Sequence, residues 1–304
     1  MGVTLHAAKK TKKSTRQLQD EMRRKNERVS VTADRALVSP SKTRAKPRIN
    51  IPMILKLLKV VGAPLMVMRL AVLIGTHPNL DHTVGIDQLE YYAGEHEVTK
   101  SAWSRNRYAV TFEKLNHPTT QNMLTTEGFI HAFHLAMRMA EGGNAMLAPV
   151  CLSWGRLNSG TSKRTALDPL GATRHQYVCD GNVMVSRTTL ILWMLAAVGV
   201  WILLEQPVHS LMEMHPRLKH WIDTLNVWRH AIRLMNFGAP TPKPLWLYSQ
   251  FPWVGEIKDF RTSIDKKKKL LHSVTVAALA ALEHTFSAFL PAFLPAFSAF
   301  LIPC

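Results

Sequence analysis

The chain has 304 residues, 47% hydrophobic and 19% charged, with a formal net charge of +17. That length and apolar content exclude a wholly disordered chain and allow one sizeable core or two small ones. Three cysteines, Cys151, Cys179 and Cys304, are too few for a disulfide framework, which predicts a reducing, intracellular setting.

Residues 1–48 hold seven Lys and seven Arg against four acidic residues, with few apolar side chains. They read as a disordered basic tail. Its opening, MGVTLHAAKKTKK, has no apolar stretch ahead of its lysines and has His6 where an acylation signal wants Ser or Thr. Neither a secretory leader nor a myristoyl anchor is predicted. Such a tail is either a solvated segment or an arm for phosphate contact or nuclear address, so nucleic acid is a candidate partner and the nucleus a candidate location.

Residues 49–81 form an apolar helical segment. Its core, IPMILKLLKVVGAPLMVMRLAVLIG (51–75), is interrupted by Lys56, Lys59, Pro64 and Arg69. Three charges and a central proline argue against a simple membrane span, leaving a helix on a membrane surface or one packed on the main domain, the latter preferred.

Residues 82–262 read as an α/β domain. IDQLEYYAG (86–94), YAVTFE (108–113), AMLAPVC (145–151) and VWILLEQP (200–207) have the apolar runs of strands. TEGFIHAFHLAMRMAEGG (126–143) and NVMVSRTTLILWMLAAVG (182–199) read as helices between them. The long apolar run 188–207 divides at Gly199 into helix and strand, so it reads as core rather than as a span. Strand, helix and strand at this spacing predict a mainly parallel, doubly wound sheet flanked by helices, with ligands at the strands' carboxyl ends. Gly94, Glu113, Cys151 and Glu205 all fall at such ends.

Three further stretches bear on function. GRLNSGTSKR (155–164) reads as a flexible basic loop, with Arg156, Lys163 and Arg164 as candidate phosphate contacts. His131 and His134 share a helical face without a third ligand, so no metal site is predicted. Trp221 and Trp228 stand one heptad apart, the spacing of core packing. Beyond the domain, 263–304 combines Lys266–Lys269 with a low-complexity apolar extension broken by Pro291, Pro295 and Pro303. Residues 270–290 approach the length of a membrane anchor but contain His272, Glu283 and His284.

A free thiol and a carboxyl at adjacent strand ends suit covalent catalysis on an electron-poor ring, sulfur as nucleophile and carboxyl as acid. In this order the motifs resemble those of the cytosine carbon-5 DNA methyltransferases over about residues 86–250. LEYYAGEHEVTK is similar to the opening S-adenosylmethionine motif, VTFE to the second motif, APVCLSW to the Pro-Cys motif, LLEQP to the Glu-Asn motif, and NFGAPTPKPLWLYS (236–249) to the late strand pair. The resemblance implies a Rossmann-like methyltransferase fold and S-adenosylmethionine as cofactor, held by Glu90, Gly94 and Glu113, the last on the ribose hydroxyls. It implies Cys151 as the nucleophile on ring carbon 6 and Glu205 as the acid on ring nitrogen 3. No late Gln-x-Arg-x-Arg motif is visible, so the family's arginine clamp on the base oxygen is missing unless Lys243, Arg164 or Arg156 substitutes. His96 and Glu97 stand where the family has further glycines, Val150 where it has proline, and Gln206 where it has asparagine. Two other function classes fit the sequence: a catalytically inactive relative of that fold serving as a nucleic-acid or protein interaction module, and a membrane-associated protein using 51–75 or 270–290.

Overall fold

In the computed structural model of the protein, residues 47–237 and 243–259 are described. The expectations for the tail up to residue 46, for the lysine run and for the apolar C-terminal extension lie outside the described residues. Arg48, counted above with the tail, forms an antiparallel bridge with Thr83, supported by Ile49 N–H to His82 O and Val84 N–H to Pro47 O, both 2.8 Å.

Two short helices follow. α1 (Ile51–Val60) starts where the Asn50 side chain accepts from Met53 N–H at 3.1 Å, with a proline in its first turn. Pro64 then separates it from α2 (Leu65–Gly75). Ile54 and Leu58 of α1 and Val67, Ala71 and Ile74 of α2 are buried in the main core, so the segment packs on the domain. No helix among the described residues is long and apolar enough to cross a membrane.

The domain continues as β1 (Ile86–Tyr91), α3 (Glu97–Trp103), β2 (Ala109–Phe112), α4 (Thr126–Met137), β3 (Met139–Leu147), α5 (Ser159–Ser162), α6 (Gln176–Ala197), β4 (Trp201–Pro207), α7 (Pro216–Thr224), β5 (Trp228–Arg233) and β6 (Pro244–Ser249). The six strands form one sheet in the order β2-β1-β3-β4-β6-β5. β1 pairs in parallel with β2 and β3, and β3 with β4, whereas β6 is antiparallel to both β4 and β5. The sheet is therefore mixed, which corrects the expectation of a mainly parallel one. The link between β5 and β6 is too short for a helical crossover, and such a link joins antiparallel neighbours.

The four parallel strands run in the order 2-1-3-4, a doubly wound arrangement whose switch point lies between β1 and β3. Their carboxyl ends share one edge of the sheet. A large core cluster fills the face covered by α1, α2, α4, α6 and α7. A smaller one, including Val98, Met146, Leu203, Leu247 and Val254, fills the other face.

Three element expectations are corrected. The helix expected over 126–143 stops at Met137, and Met139 already belongs to β3. There Ile86 pairs with Met139 and Gln88 with Asn144, a bulge that lets the strand reach the sheet directly after the helix. The late strand pair is 228–233 with 244–249 rather than a pair within 236–249. Finally, Trp221 and Trp228 share no helix: Trp221 is buried on α7, whereas Trp228 opens edge strand β5 and is exposed.

Candidate active site at the strand ends

The turn after β1 has an unusual backbone. Tyr92, Gly94 and His96 all hold positive φ, at 59°, 51° and 59°. Glycine reaches that conformation without a steric penalty, whereas each L side chain there costs about 1 kcal/mol. Gly94 N–H donates to Glu113 Oε2 at 3.1 Å, and Leu115 N–H donates to Glu113 Oε1 at 3.1 Å. The ends of β1 and β2 are thereby tied through one buried carboxylate, so Gly94 and Glu113 lie together. A Cβ at Gly94 would meet nothing within 4 Å, so its outer side is open. His96 Nε2 lies 3.1 Å from Asn116 Nδ2, its buried Nδ1 has no hydrogen-bond partner, and burial pushes its pKa down.

Glu90 is placed elsewhere. One of its oxygens accepts from Thr99 N–H and Thr99 Oγ1, both at 2.8 Å, and burial raises its pKa. It is buried against the first turn of α3, where a carboxylate complements the free N–H groups. Through Thr99, Glu90 positions the helix that follows the β1 turn.

Cys151 is a half-buried free thiol four residues beyond β3. Its carbonyl accepts from Trp154 N–H at 2.9 Å and Gly155 N–H at 3.1 Å, which turns the chain sharply beneath it. Gln206 donates through Nε2 to Pro149 O at 2.9 Å and accepts from Ser210 Oγ at 3.0 Å. One amide therefore ties the loop after β3 to the loop after β4. Leu147 pairs with Leu204, so Glu205 begins its reach one residue beyond the last paired level of the two strands. Burial raises the Glu205 pKa while Lys243, with Nζ at 3.9 Å from Oε1, lowers it. Lys243 thus stands beside Glu205, exposed, directly before β6.

The basic loop is more ordered than its composition predicts. Arg156–Asn158 form a 3-10 turn, and Ser159–Ser162 form α5. Arg164 is buried, and its guanidinium donates to Ser153 O and Oγ, Val178 O, Asn182 Oδ1 and Pro169 O. It also stacks over Trp154 at 3.5 Å. Every guanidinium nitrogen is engaged within the chain, so Arg164 stitches the loop after Cys151 to α6. Burial pushes its pKa down to about 10, which leaves it charged at neutral pH. Arg156 and Lys163 remain exposed.

This stitch predicts the effect of one methyl group. A Cβ on Gly181 of α6 would lie 2.4 Å from Ser153 Oγ, 3.2 Å from Arg164 Nη2 and 3.3 Å from Trp154 Nε1. Gly181→Ala will lower stability in urea unfolding by about 2 kcal/mol through overpacking, although alanine is the better helix former by about 1 kcal/mol. Stability at or above wild type would contradict this packing.

An open cleft of about 420 Å³ lies beside the stitched loop, lined among others by Arg156, Ser159, Thr165, His209 and Trp246. Arg229 sits over the Trp246 ring at 4.2 Å, and His209, at φ 69°, approaches it at 5.9 Å. Glu213 also lines the cleft, but its charge is spent on Arg229, at 2.7 and 2.8 Å, and on Tyr248 OH at 2.9 Å. Sequence reasoning missed His209 and Trp246, because the cleft exists only once β6 is inserted beside β4. Among the described residues no group of three His, Cys, Asp or Glu could hold a metal ion. The chain matches no family model, no curated protein and no solved structure.

Proposed function

We propose that the protein transfers a methyl group from S-adenosylmethionine to a cytosine ring in nucleic acid. The observation that carries the reading is the contact of Gly94 with Glu113, which joins the carboxyl ends of β1 and β2, with Cys151 four residues beyond β3 and Glu205 in the last residues of β4, the next two parallel strands of the sheet. S-adenosylmethionine, when bound, supplies an electrophilic methyl group. The residues present fit it: Gly94 leaves open space for close approach, and the buried Glu113 carboxylate is held by one N–H on each oxygen. A carboxylate has about four lone-pair sites, so one acceptor on each oxygen is left for a pair of ribose hydroxyls. The strained backbone at Tyr92 and His96 matches the tendency of strain to gather at ligand clamps.

On the substrate side, Cys151 adds through sulfur to ring carbon 6 as Glu205 delivers a proton to ring nitrogen 3, which makes carbon 5 nucleophilic. Once carbon 5 carries the methyl group, loss of its proton to water breaks the carbon–sulfur bond, restores the ring double bond and returns the nitrogen 3 proton to Glu205. Burial raises the Glu205 pKa, the direction that favours a proton-donating carboxyl. Gln206 keeps the two loops in register, and Arg164 fixes the loop that follows the thiol. The neighbouring cleft offers Arg156 to a phosphate and Trp246 to a base.

Titration calorimetry of the full chain with S-adenosylmethionine tests the cofactor half of this reading. Binding is expected, and Glu113→Ala will weaken it about a hundredfold through loss of two hydrogen bonds to a charged acceptor. Absence of heat at millimolar cofactor would leave the fold without that cofactor and favour an interaction module.

A further inference from the structure

The segment Ile51–Gly75 buries one side of each helix and leaves the other uncovered. On α1 the exposed residues are Pro52, Met53, Lys56, Lys59 and Val60. On α2 they are Leu65, Met66, Arg69, Val72 and Leu73. Each set recurs at three- and four-residue steps, so each is one continuous helical stripe. The six large apolar side chains among them are 40 to 65% exposed, and both stripes lie opposite residues buried in the same core cluster.

The charges around this face are of one sign. Lys56, Lys59 and Arg69 stand among the apolar side chains, and no acidic residue occurs between residues 47 and 80. The sequence directly before it adds seven Lys and seven Arg against four acidic residues. A two-fold contact between identical faces would set these cations against themselves. A phosphate backbone would satisfy the cations but leave the apolar side chains in water. An anionic lipid surface satisfies both, taking Leu65, Met66, Val72 and Leu73 at the acyl boundary and the cations at the headgroups.

We infer that the α1–α2 hairpin is a docking face for an anionic lipid surface. The helices have 10 and 11 residues, so they lie on the bilayer and do not cross it. This inference is independent of the methyl-transfer reading, since it uses none of the strand-end residues.

Co-sedimentation of the full chain with phosphatidylcholine vesicles, with and without phosphatidylserine, at physiological salt tests it. Wild type should partition onto the phosphatidylserine vesicles and not onto phosphatidylcholine alone. Each surface cation contributes about fivefold to such binding. The triple variant Lys56→Gln, Lys59→Gln, Arg69→Gln should therefore lose about a hundredfold in partition. Leu65→Glu with Leu73→Glu, both exposed sites, should abolish binding without changing the far-ultraviolet circular dichroism. Lack of wild-type binding, or equal binding to both vesicle types, would overturn the inference. So would binding unchanged in both variants, which would place the contact on the basic tail. A wild-type dimer that the leucine double variant dissociates, with no vesicle binding, would assign the face to a second copy instead.

Discussion

Arg164→Ala is expected to lower the free energy of unfolding by about 4 kcal/mol or more. The five hydrogen bonds of the guanidinium go to neutral oxygens, three of them backbone carbonyls of Ser153, Pro169 and Val178. Alanine would leave those carbonyls short of a donor and Trp154 without the cation stacked on it. Arg164→Lys keeps the charge but lacks the planar fork, so it should recover only part of the loss. Urea unfolding of the three proteins measures this directly. A loss under about 1 kcal/mol, the size of an ordinary surface change, would mean that the stitch does not hold the loop. The consequence reaches the site, because the same loop carries Cys151 at its start.

Acid should destabilise the fold well above the range where ordinary carboxylates titrate. Burial pushes the pKa values of His134 and His215 down to about 4 from an ordinary 6.5. Both are buried; His215 Nδ1 and His134 Nε2 have no hydrogen-bond partner. Arg138 and His82 act on His134, and Arg217 and Arg164 on His215, all disfavouring a second positive charge. Between about pH 6.5 and 4 the unfolded chain binds these protons and the native state does not, so stability falls as pH falls. Below about pH 4 both states are protonated and this contribution levels off. Each histidine carries about 3 kcal/mol over the full window. Glu90 and Glu205 work in the opposite sense at the acid end, because their raised pKa values let the folded state take protons first. Stability measured by urea unfolding across this window should show the decline, and His215→Gln and His134→Gln should each flatten it. A profile unchanged in both variants would contradict the account.

The parts of the fold legible in the sequence are those dictated by apolar periodicity. β1, β2 and β4 are short apolar runs that stop at polar or turn residues, and the division of 188–207 into helix and strand follows from Gly199. The start of β3 was hidden because Met137 and Met139 continue the apolar pattern of α4, and only the bulge against β1 shows the chain has changed element. β5 was hidden for a different reason. As an edge strand it buries only Ile232 fully, so WRHAIR carries no strand-like apolar run.

At the candidate site, strand-end position singles out Gly94, Glu113, Cys151 and Glu205 as candidates, but side-chain direction does not follow from spacing. Glu90 and Glu113 look alike in sequence, yet one caps α3 and the other ties β1 to β2. Arg164 reads as part of a solvated basic loop because its partners are mainly backbone carbonyls, which leave no mark in a sequence. Gln206 shows the reverse: a polar residue inside a strand run proves to be the one that joins the two loops.

The most direct measurement is transfer of labelled methyl from S-adenosylmethionine to polynucleotide by the 304-residue chain, with Cys151→Ala and Glu205→Gln alongside. The account predicts label on cytosine with wild type and a loss of about a thousandfold or more in Cys151→Ala. Glu205→Gln should be impaired by about a hundredfold, the usual contribution of a positioned acid. Cofactor binding should be unchanged in both variants. Cofactor binding without any transfer by wild type, or transfer that survives Cys151→Ala, would contradict it.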